Sequence, residues 1–303
     1  MNASCSMFSQ VLTLIPRTDF ERIVKETGSE YRSKGLSSWS QFVGMLFCQL
    51  GRAHSLREIE GGLKSCEGKP AHLGIEAPAR SSLSYANGHR PWELFEKVFY
   101  GLFDIIATKA VGKKKFRFKN KLVSLDSTVI DLCLSMYDWA KYRRTKGAVT
   151  RHLVLDHDGY LPCFGLVTDG TVADVKAVRE DTGDILVFLT NHHGLGASTI
   201  AALDKDRWQI ELFFKALKQN LKIKTFVGTS ANAVKTQMWT AVISMLLLRD
   251  LQLSSCFGWS LANLVALLRM NLFTHRDLMV WLDKPFVTPP DPQDNPQATL
   301  AFA

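Results

Sequence analysis

The sequence predicts an α/β protein in which a helical N-terminal part precedes a part where strands and helices mix. Three observations predict it. Apolar residues recur at three- and four-residue spacing as far as Ala110, β-branched runs joined by a turn signal follow, and a long amphipathic stretch begins near Ser198.

In the first part, Phe42, Met45, Leu46 and Leu50 share one helix face, and Leu94, Phe95, Val98, Phe99, Leu102 and Ile105 share another. Ser37 or Ser38 suits the N-cap of the first helix and Pro91 the first turn of the second. Residues 55–63 and 81–87 read as two further helices, either a DNA-reading pair or plain bundle packing. The basic run Lys113, Lys114, Lys115, Arg117 and Lys119 ends this pattern, so residues 1–112 are expected to form a helical, DNA-binding domain.

A second domain is expected over residues 113–284. Residues 122–130 read as a strand, and residues 150–155 and 161–168 as two more, joined through His157-Asp158-Gly159, where Asp-Gly between apolar runs marks a hairpin. Residues 185–190 read as another short strand. A helix then starts with Ser198 as its N-cap and carries Ile200, Leu203, Ile210, Phe214, Leu217 and Leu221 on its apolar side. Helices over 238–251 and 261–269 follow, and the prolines and polar residues of 285–303 predict an unpacked tail.

The chain has 303 residues, 46% of them hydrophobic, enough for two cores. Thirty-seven Lys and Arg against 29 Asp and Glu give a formal charge of +8, which favours a polyanionic partner such as nucleic acid or an anionic membrane surface. The six cysteines stand singly, without metal-ligand spacing, and are expected to be reduced thiols in a cytoplasmic protein. The N-terminus lacks signal-peptide features. The most apolar window, 238–248, falls short of the roughly 20 residues that cross a bilayer.

The residues that can carry chemistry concentrate in two places. At 3.6 residues per turn, Asp204, Arg207, Glu211 and Lys218 return to one stripe, with Lys215 and Lys222 beside it. A carboxylate among cations on one helix face can bind a metal while its neighbours hold phosphate oxygens, although a solvated face with ordinary ion pairs has the same pattern. Asp126 lies inside an apolar strand, where a carboxylate is costly to bury unless paired or metal-bound; the alternative is an Asp in a strand-end turn. Trp139, Lys141, Tyr142, Arg143, Arg144 and Lys146 interleave cations with aromatics, as do Lys113 to Lys119, a combination that grips phosphates and stacks bases or simply lines a solvated loop. His192-His193 reads as a loop pair.

The spacing Arg207-x3-Glu211-x6-Lys218 resembles the Tyr-Arg-Glu-Lys signature of bacterial insertion-sequence DDE transposases of the IS-four type, with Asp204 at the Tyr position. Leu125-Asp126-Ser127-Thr128, Asp138 to Gly147, His152 to Pro162 and Ser84 to Trp92 continue the likeness. The resemblance implies an RNase H-like core. It implies that Asp126 and Glu211 are catalytic and bind metal, within an Asp, Asp, Glu set that holds two Mg²⁺ ions for phosphodiester cutting and joining. It further implies that Arg207, Lys215, Lys218, Lys222, Trp139, Lys141, Arg143, Arg144, Lys146, Lys113, Lys114 and Lys115 contact DNA. The partners so implied are insertion-sequence terminal inverted repeats, with a homo-oligomer on the DNA, no membrane, and a nucleoid-associated location.

One part of the pattern is missing. The middle carboxylate of the family precedes Arg-Gly-Tyr, and no Asp-Arg-Gly-Tyr occurs here. The span from Asp126 to Glu211 also leaves no room for the family's β insertion, so the core is expected to be incomplete, shortened near residues 178–185. Asp169, Asp174, Asp181 and Asp184 remain, and each reads more simply as a turn or helix-start residue. The expectation is a transposase-family protein that binds DNA and is defective in cutting it. The alternatives are an active enzyme with a relocated acid and a non-catalytic DNA-binding regulator of transposition.

Overall fold

The computed structural model describes residues 5–31, 33, 35–66, 73–110, 122–132, 136–137, 139–143, 146–157, 159–169, 197–221 and 225–287. The basic run 113–119, the expected strand 185–190, His192-His193, Asp174, Asp181, Asp184 and the tail from 288 onward lie outside these residues. The described chain mixes helices with one antiparallel sheet.

Six helices come first: α1 (Met7–Leu12), α2 (Arg17–Thr27), α3 (Ser38–Leu50), α4 (Leu56–Lys64), α5 (Arg80–His89) and α6 (Glu93–Ala110). Local chemistry sets their ends. Ser37 caps α3 by accepting the Ser40 N–H at 3.0 Å. Ser55 caps α4 through the Glu58 N–H at 3.2 Å, and the Glu58 carboxylate reaches back to the His54 N–H at 2.8 Å. Helix α2 stops at Gly28, whose φ of 62° is the left-handed conformation that a side chain disfavours.

Four strands follow, β1 (Val123–Leu132), β2 (Lys141–Arg143), β3 (Lys146–Asp156) and β4 (Leu161–Asp169). Strand β3 is central. It pairs along its length with β1 on one edge, and on the other with β4 and the short β2, all antiparallel. The β3–β4 hairpin turns where the sequence predicts it, with Gly159 at φ 88° and Tyr160 at φ 55°. Four helices complete the described chain: α7 (Ala197–Asn220), α8 (Ala231–Ser254), α9 (Leu261–Asn271) and α10 (Leu278–Asp283). Ser198, expected as the N-cap of α7, lies inside the helix, because helical structure already includes Ala197.

Helix α8 organises the interior. It is apolar around most of its circumference and is buried almost throughout, so it needs neighbours on every side. Thr240 and Ser244 hide their hydroxyls by donating to the carbonyls of Thr236 and Thr240 at 2.7 and 2.8 Å. The helix packs on α3, α5, α6, α9 and β4. Phe99 of α6 lies 5.3 Å from the Trp239 ring, and Lys109 of α6 donates to both oxygens of buried Asp250 at 2.8 and 2.9 Å. The boundary expected at 112/113 lies outside the described residues, and buried side chains from both sides of it belong to one core.

One member of that core is unusual. Arg151 of β3 is 1% exposed, and its three guanidinium nitrogens find no hydrogen-bond acceptor among the described residues. Its charge rests 4.6 Å from the Trp239 ring, and burial pulls its pKa down to about 10.

A candidate carboxylate cleft between strand β1 and helix α7

Strand alternation decides where Asp126 goes. Ser124, Thr128, Ile130 and Leu132 are buried and share one face of β1, and Asp126 falls on that face by period two. Its cross-strand partner is Leu153 of β3, and Gly165 of β4 lies beyond it. Helix α7 covers this side, burying Leu203, Ile210, Phe213, Phe214, Leu217 and Leu221 and packing against β1. Glu211 sits on the border between the buried and open faces of α7.

The two carboxylates therefore line the same cleft. Asp126, Ser127, Thr128, Glu211, Lys215 and Lys218 line one open cleft of about 400 Å³. The Ser127 N–H donates to Asp126 Oδ1 at 2.8 Å, which orients the carboxylate from its own strand. Arg207 lies one turn before Glu211 and pairs with it at 3.4 Å, both side chains being partly exposed. A negative pair with cations on the same helix face is an arrangement that can hold a divalent cation and, beside it, phosphate oxygens. Among the described residues, no group of three or more His, Cys, Asp or Glu is placed to hold a metal.

The other expected contacts are distributed differently. Lys222, Arg144, Lys113, Lys114 and Lys115 lie outside the described residues. Lys141 and Arg143 form β2, and Lys146 opens β3, with Lys141 paired to Gly147 and Arg143 to Lys146. Gly147 is six rungs from Leu153, the partner of Asp126, so this basic hairpin stands about 20 Å from the cleft along the sheet. Trp139 serves the packing: its indole N–H donates to the Thr229 carbonyl at 2.8 Å, and its ring meets Tyr137 edge-on at 6.5 Å.

Sequence reasoning missed one buried polar group beside the cleft. His157, read only as part of a turn, places Nε2 2.6 Å from Ser124 Oγ and Nδ1 2.5 Å from Asp206 Oδ2. Tyr160 donates its hydroxyl to Asp206 Oδ1 at 2.8 Å. A signal was present, since Asp206 falls between Leu203 and Ile210 on the apolar side of α7, where a charge needs partners.

Residues 179–247, which include α7, match the family model described as transposase DDE domain, and residues 4–76 match a domain of unknown function. A protein of Sinorhizobium fredii named as a transposase, y4zB, is 38% identical over 112 residues, 37% of this chain and 32% of that protein. A protein of Geobacillus stearothermophilus named as the transposase of insertion sequence element IS5377 is 39% identical over 75 residues, 25% of this chain and 20% of its own length. A third, named for insertion sequence element IS4SA of a Synechocystis species, is 30% identical over 89 residues, 29% of this chain and 26% of its own length. The aligned stretches thus span about a third or less of these relatives. No solved structure matches the chain. Over part of its length the chain is accordingly similar to insertion-sequence transposases, and its residues 179–247 match the transposase DDE domain.

Proposed function

We propose that this chain binds DNA as a transposase-related protein, with Asp126 and Glu211 as two members of a metal-binding carboxylate set. The observation that carries the reading is their meeting in one cleft from distant parts of the sequence, beside Lys215 and Lys218. Arg207, Lys215 and Lys218 are the proposed phosphate contacts at the cleft, and the β2–β3 hairpin is the proposed contact farther along the duplex. The branch of the family proposed is the IS-four type, on the Arg207, Glu211 and Lys218 spacing.

The described residues fit one Mg²⁺ better than two. Magnesium takes six oxygens, keeps several waters, and is commonly held by one or two carboxylates plus a substrate phosphate. Asp126 and Glu211 would hold it, and a bound ion would supply Lewis-acid activation at a phosphodiester. A second ion needs a further carboxylate. Cutting is therefore proposed to be defective, in keeping with the absent Asp-Arg-Gly-Tyr and with a family match that starts at residue 179, where the shortening is expected. The same short donor set favours a second reading, a non-catalytic regulator that occupies transposon ends or pairs with intact copies.

Purified protein mixed with duplexes taken from the DNA on either side of its gene tests both readings. Binding that weakens steeply with salt, without Mg²⁺-dependent nicking, is the expected result. Nicking that disappears in Glu211→Gln would overturn the defect, and binding absent at low salt would overturn the DNA reading. For the regulator, co-expression with an intact relative is expected to lower transposition, and an unchanged frequency would exclude it.

A further inference from the structure

We infer that Ser124, His157 and Asp206 form a positioning relay that fixes α7 against β1 and so sets the separation of the Asp126 and Glu211 carboxylates. The inference rests on the proposed reading of those two residues as a metal-binding pair. Ser124 lies two residues before Asp126 on the same face of β1, and Asp206 lies five residues before Glu211 on α7. Two strand residues advance about 6.7 Å and five helical residues about 7.5 Å. The relay, which reaches α7 through His157, and the cleft thus lie along the same strand and helix, offset by nearly equal distances along each. The relay is the hydrogen-bonded point from which the width of the open cleft is set.

The relay's chemistry suits fixing rather than mere adhesion. Asp206 is 0% exposed, His157 4% and Ser124 9%. A buried carboxylate is expensive to desolvate, and apolar side chains of similar volume generally pack as stably. What they lack is direction. One tautomer satisfies the whole set: His157 donates Nδ1–H to Asp206 Oδ2, Nε2 accepts the Ser124 hydroxyl, and Tyr160 donates to Asp206 Oδ1. Each bond tolerates only a few tenths of an ångström, so sliding or rotation of α7 breaks at least one. Oxygen ligands must be held within about 0.5 Å of their working positions, and the relay meets that demand without touching the ion.

The test compares the full-length chain with Asp206→Asn, Ser124→Ala and, as a control, Leu83→Ala, a core truncation in α5 away from the cleft. Mn²⁺ alone is titrated by electron paramagnetic resonance, and backbone hydrogen exchange is followed by mass spectrometry at a temperature where every variant is folded. Asp206→Asn is expected to weaken Mn²⁺ binding by about 10- to 100-fold and to speed exchange selectively in α7. Leu83→Ala is expected to lower the melting temperature while leaving Mn²⁺ affinity unchanged. Mn²⁺ affinity and α7 exchange both unchanged in Asp206→Asn would overturn the relay, as would a loss matched by Leu83→Ala. Should the wild type bind no Mn²⁺, the carboxylate-pair reading fails, and the exchange measurement still decides whether the relay clamps α7.

Discussion

Replacing Arg151 by Met is expected to stabilise the protein, although it removes one of the most deeply buried side chains. The guanidinium is fully buried, has no hydrogen-bond acceptor among the described residues, and has its pKa pulled down by burial to about 10. That depression corresponds to about 3 kcal/mol against the charged form. A favourable contact opposes it, the Trp239 ring at 4.6 Å, which contributes about 1–2 kcal/mol when desolvated. Met fills a similar volume without charge, so a net gain of about 1–2 kcal/mol is expected. With an unfolding entropy of about 2.1 cal/mol/K per residue, the melting temperature rises by about 2–3 °C. The pH dependence has a definite sign. A base with a lowered folded pKa binds its proton more weakly folded than unfolded, so the destabilisation is complete below about pH 10 and fades as the pH rises from there towards the ordinary arginine value. Chemical denaturation at pH 7 and pH 10.5 checks both points. A Met variant several degrees less stable at pH 7 would refute the reasoning, because it would mean that a carboxylate pairs with Arg151.

Four further outcomes follow from the same packing and cleft. A Cβ on Gly165 would lie 2.7 Å from Arg151 Nη2, so Gly165→Ala is expected to cost about 1–3 kcal/mol, and less in the Arg151→Met background; equal costs in both backgrounds in urea melts would contradict the contact. Trp139→Phe loses the hydrogen bond to Thr229 and should cost about 1 kcal/mol in the same assay, with no loss marking that bond as incidental. Lys215→Ala and Lys218→Ala should each reduce the salt-dependence slope of duplex binding by about 0.9, and an unchanged slope would remove that lysine from the phosphate contacts. Residues 1–112 expressed alone should bind a hydrophobic dye and lack sharp unfolding, since α8 covers α3 and α6 in the whole chain; a cooperative melt would show that the helical part stands by itself.

Which features could be read from the sequence follows from how local their causes are. The β3–β4 hairpin was legible because Asp158-Gly159 supplies the backbone conformation that the turn requires, and Gly159 adopts it at φ 88°. Asp126 and Glu211 were legible as carboxylates in places where burial or neighbouring cations demand a reason. Their meeting in one cleft depends on α7 crossing β1, which no local pattern states. Helix α8 announced its burial by being apolar on most sides, yet that character names no neighbours, and its packing onto α3, α5 and α6 joins the helical part to the sheet. The Ser124, His157 and Asp206 relay was missed because its members are far apart in sequence and each has an ordinary local reading. Trp139 was legible as an aromatic among cations, but its bond to Thr229 comes from a segment ninety residues on.

Mn²⁺ titration of the wild type, Asp126→Asn, Glu211→Gln and the double variant tests the proposed carboxylate site most directly. If both carboxylates serve one ion, each single change lowers affinity by roughly tenfold or more and the second adds far less than the first. Affinity that survives both changes, or losses that multiply independently, would contradict a shared site.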